Sequence, residues 1–250
     1  PLTCNEVIVT TDLDWALVAG HELKAELSGS QTDAGESENE VISVHILDGE
    51  RDVTFNYEIT TVKGTLSVYA RSITVIAGSA KKVYDGQELV CQTYKLFKEE
   101  GEPLVLDHQE RVVVAGSQTE VGESANKIVS VQIFAGERDV TFNYAITCED
   151  GVLLVTPRSV TFVTATNEWV YDGVAHSDGG HRVSDTSAYP LADGQTSASS
   201  SLTEITDVGS AKNVMTVTVS DSAGRDVTSN YEITYEYGTL TVTPRPVTIT

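Results

Sequence analysis

The 250-residue chain carries 37 acidic against 16 basic side chains, a formal charge of −21, which argues against a nucleic-acid partner, since phosphates need a basic face. No apolar run is long enough for a membrane-spanning helix, and no charged stretch followed by an apolar core opens the sequence. Abundant Val, Thr, Ile and Tyr, punctuated by Gly, favour strands over helices.

The dominant signal is internal repetition. GERDVTFNY at 49–57 returns letter for letter at 136–144, and GRDVTSNY follows at 224–231. Tyr57, Tyr144 and Tyr231 recur every 87 residues, as do Gly64, Gly151 and Gly238, Arg71, Arg158 and Arg245, and the Tyr-Asp-Gly at 84–86 and 171–173. The chain is nearly three copies of one unit, each large enough to bury its own core. Boundaries near the three arginines make 1–71 a unit lacking its first strand, 72–158 and 159–245 complete units, and 246–250 the first strand of a further one. The pattern is already running at Pro1 and still running at Thr250, which reads as part of something longer.

In chain order, the first clear element of each unit is an alternating strand. Ile42, Val44 and Ile46 share one face, and Ser43 and His45 the other. Val129, Val131 and Ile133 repeat this, while Met215, Val217 and Val219 sit one residue early. The loop at 221–224 returns the missing residue, as a strand with one buried face demands. GERDVT then forms a turn-rich loop in which Asp52 and Asn56 are placed to bond nearby amides. NYEIT follows as a strand, and Gly64, Gly151 and Gly238 are expected to supply positive φ for a hairpin to TLSV, VLLV and TLTV. The joints YARS (69–72), TPRS (156–159) and TPRP (243–246) contain no flexible linker, and proline keeps the chain extended there. The Tyr-Asp-Gly motif reads as a strand end and turn. The expected fold is all-β: tandem, elongated antiparallel modules of an immunoglobulin-like sandwich type, coupled end to end as a rod. A β-grasp-like module with one short helix near 33–40 is the alternative.

Together, KVYDG (82–86), WVYDG (169–173), GSQTDAG (29–35), GSQTEVG (116–122), the DVT-x-NY cores and GTLTVTPRPVTIT (238–250) resemble the YDG- and MBG-type repeats of large wall-anchored surface proteins of Gram-positive gut bacteria. The resemblance covers the whole chain. It implies an extracellular β-rich stalk or adhesin region with no catalytic residues. The cysteines, and YAR where the other copies have TPR, depart from the pattern.

Nothing in GERDVTFNY pairs a nucleophile with a base, so the nonapeptide reads as architecture. G-x-S-x-G, H-E-x-x-H, a P-loop and paired C-x-x-C are all missing from the sequence. His21 and His108 are equivalent, but the third copy has Gln195, which opposes a shared metal or catalytic role. His176, His181, Asp172 and Asp178 offer metal donors, though a polar turn accounts for them better. Asp12/Asp14 and Glu99/Glu100/Glu102 lack the ligand spacing of a calcium loop. Cys4 and Cys91 lie a unit apart. A Cys91–Cys148 bridge is conceivable, but the matching pairs Cys4/Thr61 and Asp178/Tyr235 show that the unit does not require one, so free thiols are expected. An isopeptide link at Asn56, Asn143 or Asn230 lacks a recurring lysine, since Lys82 becomes Trp169. No cofactor and no metal are expected.

One segment diverges. Residues 29–75 match 116–162 at 28 of 47 positions, whereas 5–28 match 92–115 at only 3 of 24, and 179–202 differ again. A constant frame with one changing segment suits loop-based recognition, with Trp15, Phe97 and Tyr189 as candidate ligand-binding aromatics. Drift of a surface loop explains the same divergence. The expectation is a non-enzymatic stalk projecting a distal adhesive region, its partners being neighbouring modules of the same chain. The alternative is a module that binds a host glycoprotein or glycan, such as mucin or immunoglobulin, through the variable segments. A glycosidase with paired carboxylates ranks third.

Overall fold

The computed structural model describes residues 1–10, 17–98 and 100–249. Its only helical segments are three-residue 3-10 turns at Thr54–Asn56, Thr141–Asn143 and Thr228–Asn230, so the described chain is all-β. The short helix considered near 33–40 is not formed, because the strand Gly35–Asp48 occupies that stretch. No described helix is long and apolar enough to cross a membrane. The chain divides into two compact units: Pro1–Val75 with Leu96–Val112 and Ser130–Cys148, and Ile76–Lys95 with Val113–Val129 and Glu149–Thr250.

In the first unit, the long strand Gly35–Asp48 serves two partners. Its second half pairs antiparallel with His21–Ser28, and its first half with Gly64–Val68. The change of partner is marked by a bulge: Leu27 lies opposite Val41 and Glu26 opposite Ser43, so Ile42 faces no residue. A bulge resets side-chain parity. Ile42 is therefore 60% exposed and its counterpart Val129 62%, which corrects their assignment to the buried face; Ile46 and Ile133 do lie in the core. The third repeat has no such residue. Asn213, Met215, Val217 and Val219 are all buried in strict alternation. The displaced residue reappears in the following loop, where Val227 N–H reaches Val219 O across one residue more than Val53 N–H crosses to Ile46 O.

In the second unit, pairing is mixed rather than wholly antiparallel. Arg158–Thr164 is central in its sheet, antiparallel to His181–Val183 and parallel to Tyr231–Glu236. Thr239–Thr243 is central in another, parallel to Asn167–Val170 and antiparallel to Gly209–Lys212. Tyr231–Glu236 and Thr239–Thr243 thus belong to different sheets, and the expected hairpin between them is not formed. Gly238 carries the chain across. Neither it nor Gly64 or Gly151 has positive φ. What Gly238 supplies is clearance: a Cβ there would lie 2.3 Å from Ala165 O, and one on Gly151 would lie 2.1 Å from Gly78 O. Beside Gly64 the nearest atom would be Asn39 Cβ at 3.6 Å, because no strand corresponding to Arg158–Thr164 is present there.

Pro157 alone separates Gly151–Thr156 from Arg158–Thr164. Across this junction the apolar core is continuous: Tyr84 and Val155 of the second repeat pack with Val160, Phe162, Val219 and Tyr231 of the third. Tyr84 is 2% exposed, and its ring meets Tyr231 edge-on at 5.7 Å. Such a pair contributes about 0.5–1.5 kcal/mol beyond its buried area. The Tyr-Asp-Gly motif is thus more than a turn, although Gly86 does adopt the positive φ of 78° that a turn requires.

These contacts separate glycines that the sequence treats alike. Gly238→Ala is expected to lower stability by about 1–3 kcal/mol through backbone overlap, whereas Gly64→Ala is neutral or gains up to about 1 kcal/mol. Urea midpoints of the two variants check this, and equal losses would contradict it.

Candidate functional site

The repeated nonapeptide assigns a separate contact to nearly every residue. Asp52 Oδ1 accepts bonds from Thr54 N–H at 2.9 Å and Thr54 Oγ1 at 2.6 Å, and Thr54 Oγ1 accepts from Ile46 N–H at 2.8 Å. The same relay joins Asp139, Thr141 and Ile133, and again Asp226, Thr228 and Val219. Between Asp and Thr, the side chains of Val53, Val140 and Val227 are buried. The two threonine bonds, with His45 also touching Asp52, hold the Asp52 carboxyl down at about 2, and the threonine bonds lower Asp139 and Asp226 as well. Asp52 bonds nearby backbone, as its position in the loop led us to expect. Asn56 has a different counterpart role, described next.

The final Asn and Tyr work in different directions. Asn143 Oδ1 accepts from Ala34 N–H at 2.5 Å, and Asn143 Nδ2 donates to Asp33 Oδ1 at 2.9 Å; Arg138 pairs with the same carboxylate. One repeat later, Asn230 Oδ1 accepts from Val121 N–H at 2.7 Å and its amide donates to Glu120. The Asn thus clasps the GSQT loop of the preceding repeat. Arg138 first, and then Asn143, holds the Asp33 carboxyl below its usual range. The loop is braced for this, since Gln31 Nε2 donates to Asp33 O at 2.8 Å and Gln118 Nε2 to Glu120 O at 2.7 Å.

The Tyr hydroxyl grips its own repeat's variable segment. Tyr144 OH accepts from Val105 N–H at 3.0 Å and bonds His108 Nδ1 at 2.7 Å; Tyr57 does the same with Val18 and His21. Tyr231 OH accepts from Ala192 N–H at 2.9 Å and donates to Gln195 Oε1 at 2.5 Å. His and Gln are therefore interchangeable acceptors here, which is why a glutamine replaces the two histidines. The joint arginines hold the same segment from the other side: Arg71 Nε donates to Pro103 O at 3.2 Å and Arg158 Nε to Pro190 O at 2.7 Å. Sequence reasoning missed this clamp, although a signal exists. The three matches between 5–28 and 92–115 are Leu17/Leu104, Val18/Val105 and His21/His108, all at the tyrosine grip.

Of the candidate ligand-binding aromatics, Trp15 lies outside the described residues. Phe97 ends the strand Tyr94–Phe97 and is exposed. Tyr189 lies under the Arg158 guanidinium, 5.0 Å from ring centroid to carbon, and so takes part in the joint. Phe97 and Tyr189 belong to successive repeats and do not form one site. Between its anchors the second repeat's loop presents Leu106, which is 86% exposed.

The other donor sets stay separate. His176 stacks on Trp169 at 4.7 Å and bonds Asp172 at 3.0 Å, while His181 bonds Ser197 Oγ at 3.0 Å. No group of three His, Cys, Asp or Glu converges among the described residues. Cys4, Cys91 and Cys148 are free thiols, and Thr93 beside Cys91 lowers its thiol pKa.

The aspartate relay sets an acid response. Asp52, Asp139 and Asp226 have folded pKa values below the ordinary 3.8, so their stabilisation is complete above that pH and is lost as pH falls toward about 2. The urea-midpoint difference between wild type and the triple Asp→Asn variant should be largest at neutral pH and shrink steadily from about pH 4 to pH 2. A difference independent of pH would contradict this.

No protein-family model matches the chain, and no curated protein matches it significantly.

Proposed function

We propose that the chain is a series of non-enzymatic spacer repeats from an extracellular bacterial surface protein, projecting a distal adhesive region away from the cell wall. The observation that carries this reading is the clasp found at the same offset twice, Asn143 on Asp33 and Ala34, and Asn230 on Glu120 and Val121. A contact repeated from copy to copy suits a tandem array, since each repeat presents what its neighbour needs. The continuous core around Tyr84 and Tyr231, and a joint of one proline, support stiff coupling. In this reading each module is an immunoglobulin-like sandwich and the modules stack as a rod. A charge of −21 keeps such an array soluble and self-repelling. The bacterial surface and the wall anchorage rest on the resemblance of the repeat motifs.

Small-angle scattering tests the spacer reading: the intact chain should scatter as a stiff rod, and Asn143→Ala with Asn230→Ala should broaden its distance distribution. Scattering from a compact sphere would contradict it.

A second reading draws on the clamped loops. The Tyr144 and Arg71 contacts hold residues 102–108 while Leu106 stays exposed, an arrangement suited to presenting a recognition loop to a host glycoprotein or glycan. It predicts pull-down from mucus or serum that disappears when 95–108 is exchanged for a Gly/Ser loop. The spacer reading predicts no retention by either protein.

A further inference from the structure

The first repeat contains a vacant strand position. In the third repeat, Arg158–Thr164 lies between His181–Val183 and Tyr231–Glu236. By the repeat's phase, the flanking segments of the first repeat are residues 7–10 and 57–62, and neither forms a strand. Beside them a cleft of about 500 Å³ is lined by Val7, Val9, Leu23, Val44, Ile46 and Ile59. Ile8 and Val62, on the two flanking segments, are 79% and 81% exposed. Two unpaired backbone edges around an apolar floor can accept one incoming strand by β-augmentation.

The other end of the chain carries a matching strand. Arg245–Ile249 reads RPVTI, beside RSITV at 71–75 and RSVTF at 158–162. The side chains of Ile73, Val75, Val160 and Phe162 are buried, whereas Val247 and Ile249 are 79% and 92% exposed and their segment is unpaired. The remaining parts of the observed joint also have free counterparts. Tyr171 is the equivalent of Tyr84 and is exposed, and Tyr57 is the equivalent of Tyr231. Asp207-Val208 stands where Glu120-Val121 stands one repeat earlier, and Asn56 corresponds to Asn230.

We infer that the first repeat is a receptor for Arg245–Ile249 of a second copy of this chain, entering antiparallel to residues 7–10 and parallel to 57–62. Val247 and Ile249 occupy the cleft, Tyr171 packs on Tyr57, and Asp207 receives the Asn56 amide. The interface reproduces the joint between the second and third repeats. It is head-to-tail, and both ends remain open after each addition, so the product is an open-ended series of copies.

Sedimentation of the intact chain under reductant, which silences the three thiols, from about 1 to 200 µM tests this. The expected result is a 26.9 kDa species giving way to its multiples as concentration rises. Val247→Asp with Ile249→Asp, in an exposed segment that the fold does not need, should weaken association at least about tenfold. A peptide copying residues 158–164 should bind the chain and block its association, while a scrambled peptide should do neither. A chain that remains at 26.9 kDa throughout, or oligomers indifferent to the double substitution, overturns the inference.

Discussion

Two adjacent side chains, the Asn and Tyr that close each nonapeptide, determine how the rest of the molecule is held. The Tyr hydroxyl takes a backbone N–H from its own variable segment, and the Asn amide takes hold of the loop before it in the series. Both depend on the three-residue turn between Thr and Tyr, whose first residue is fixed by the Asp–Thr relay. A repeat that must fold locally and also engage its neighbour needs a rigid origin for both contacts. Bonds between a carboxylate, a hydroxyl and backbone amides provide one with few residues.

The same economy appears in the joint. Because the opening strand of the third repeat follows the last strand of the second after one proline, the two repeats share a buried core instead of presenting two finished surfaces. Tyr84 gives this core its largest side chain from the second repeat, and Arg158 closes its edge by bonding Tyr84 O and Pro190 O. A shared core makes neighbouring repeats cooperative, since neither can expose its half without exposing the other's.

Much of this was legible because the copies act as an internal alignment. The 87-residue step, the strand at 41–47 and the compensating loop at 221–224 follow from alternation and count alone. The bulge was not legible: Ile42 keeps a perfect alternation with Val44 and Ile46, and only the partner strand shows that it faces nothing. Gly238 was assigned the wrong physics for a related reason. Positive φ and close backbone approach both select glycine, and only the carbonyl of Ala165 distinguishes them. Parallel pairing of Arg158–Thr164 with Tyr231–Glu236 joins residues 73 apart, beyond the reach of any local pattern. The clamp on the variable segment was within reach, since Leu17, Val18 and His21 keep their identity where their neighbours do not.

The central claim is that successive repeats are joined through one core and are not merely strung together. Native-state hydrogen exchange of the Tyr84→Ala variant addresses it most directly. Loss of one buried ring in the second repeat should lower amide protection in Met215–Ser220 and Tyr231–Glu236 of the third, together with that of its own strands. If protection falls in the second repeat while those third-repeat strands keep their wild-type exchange rates, the repeats are independent and the account is wrong.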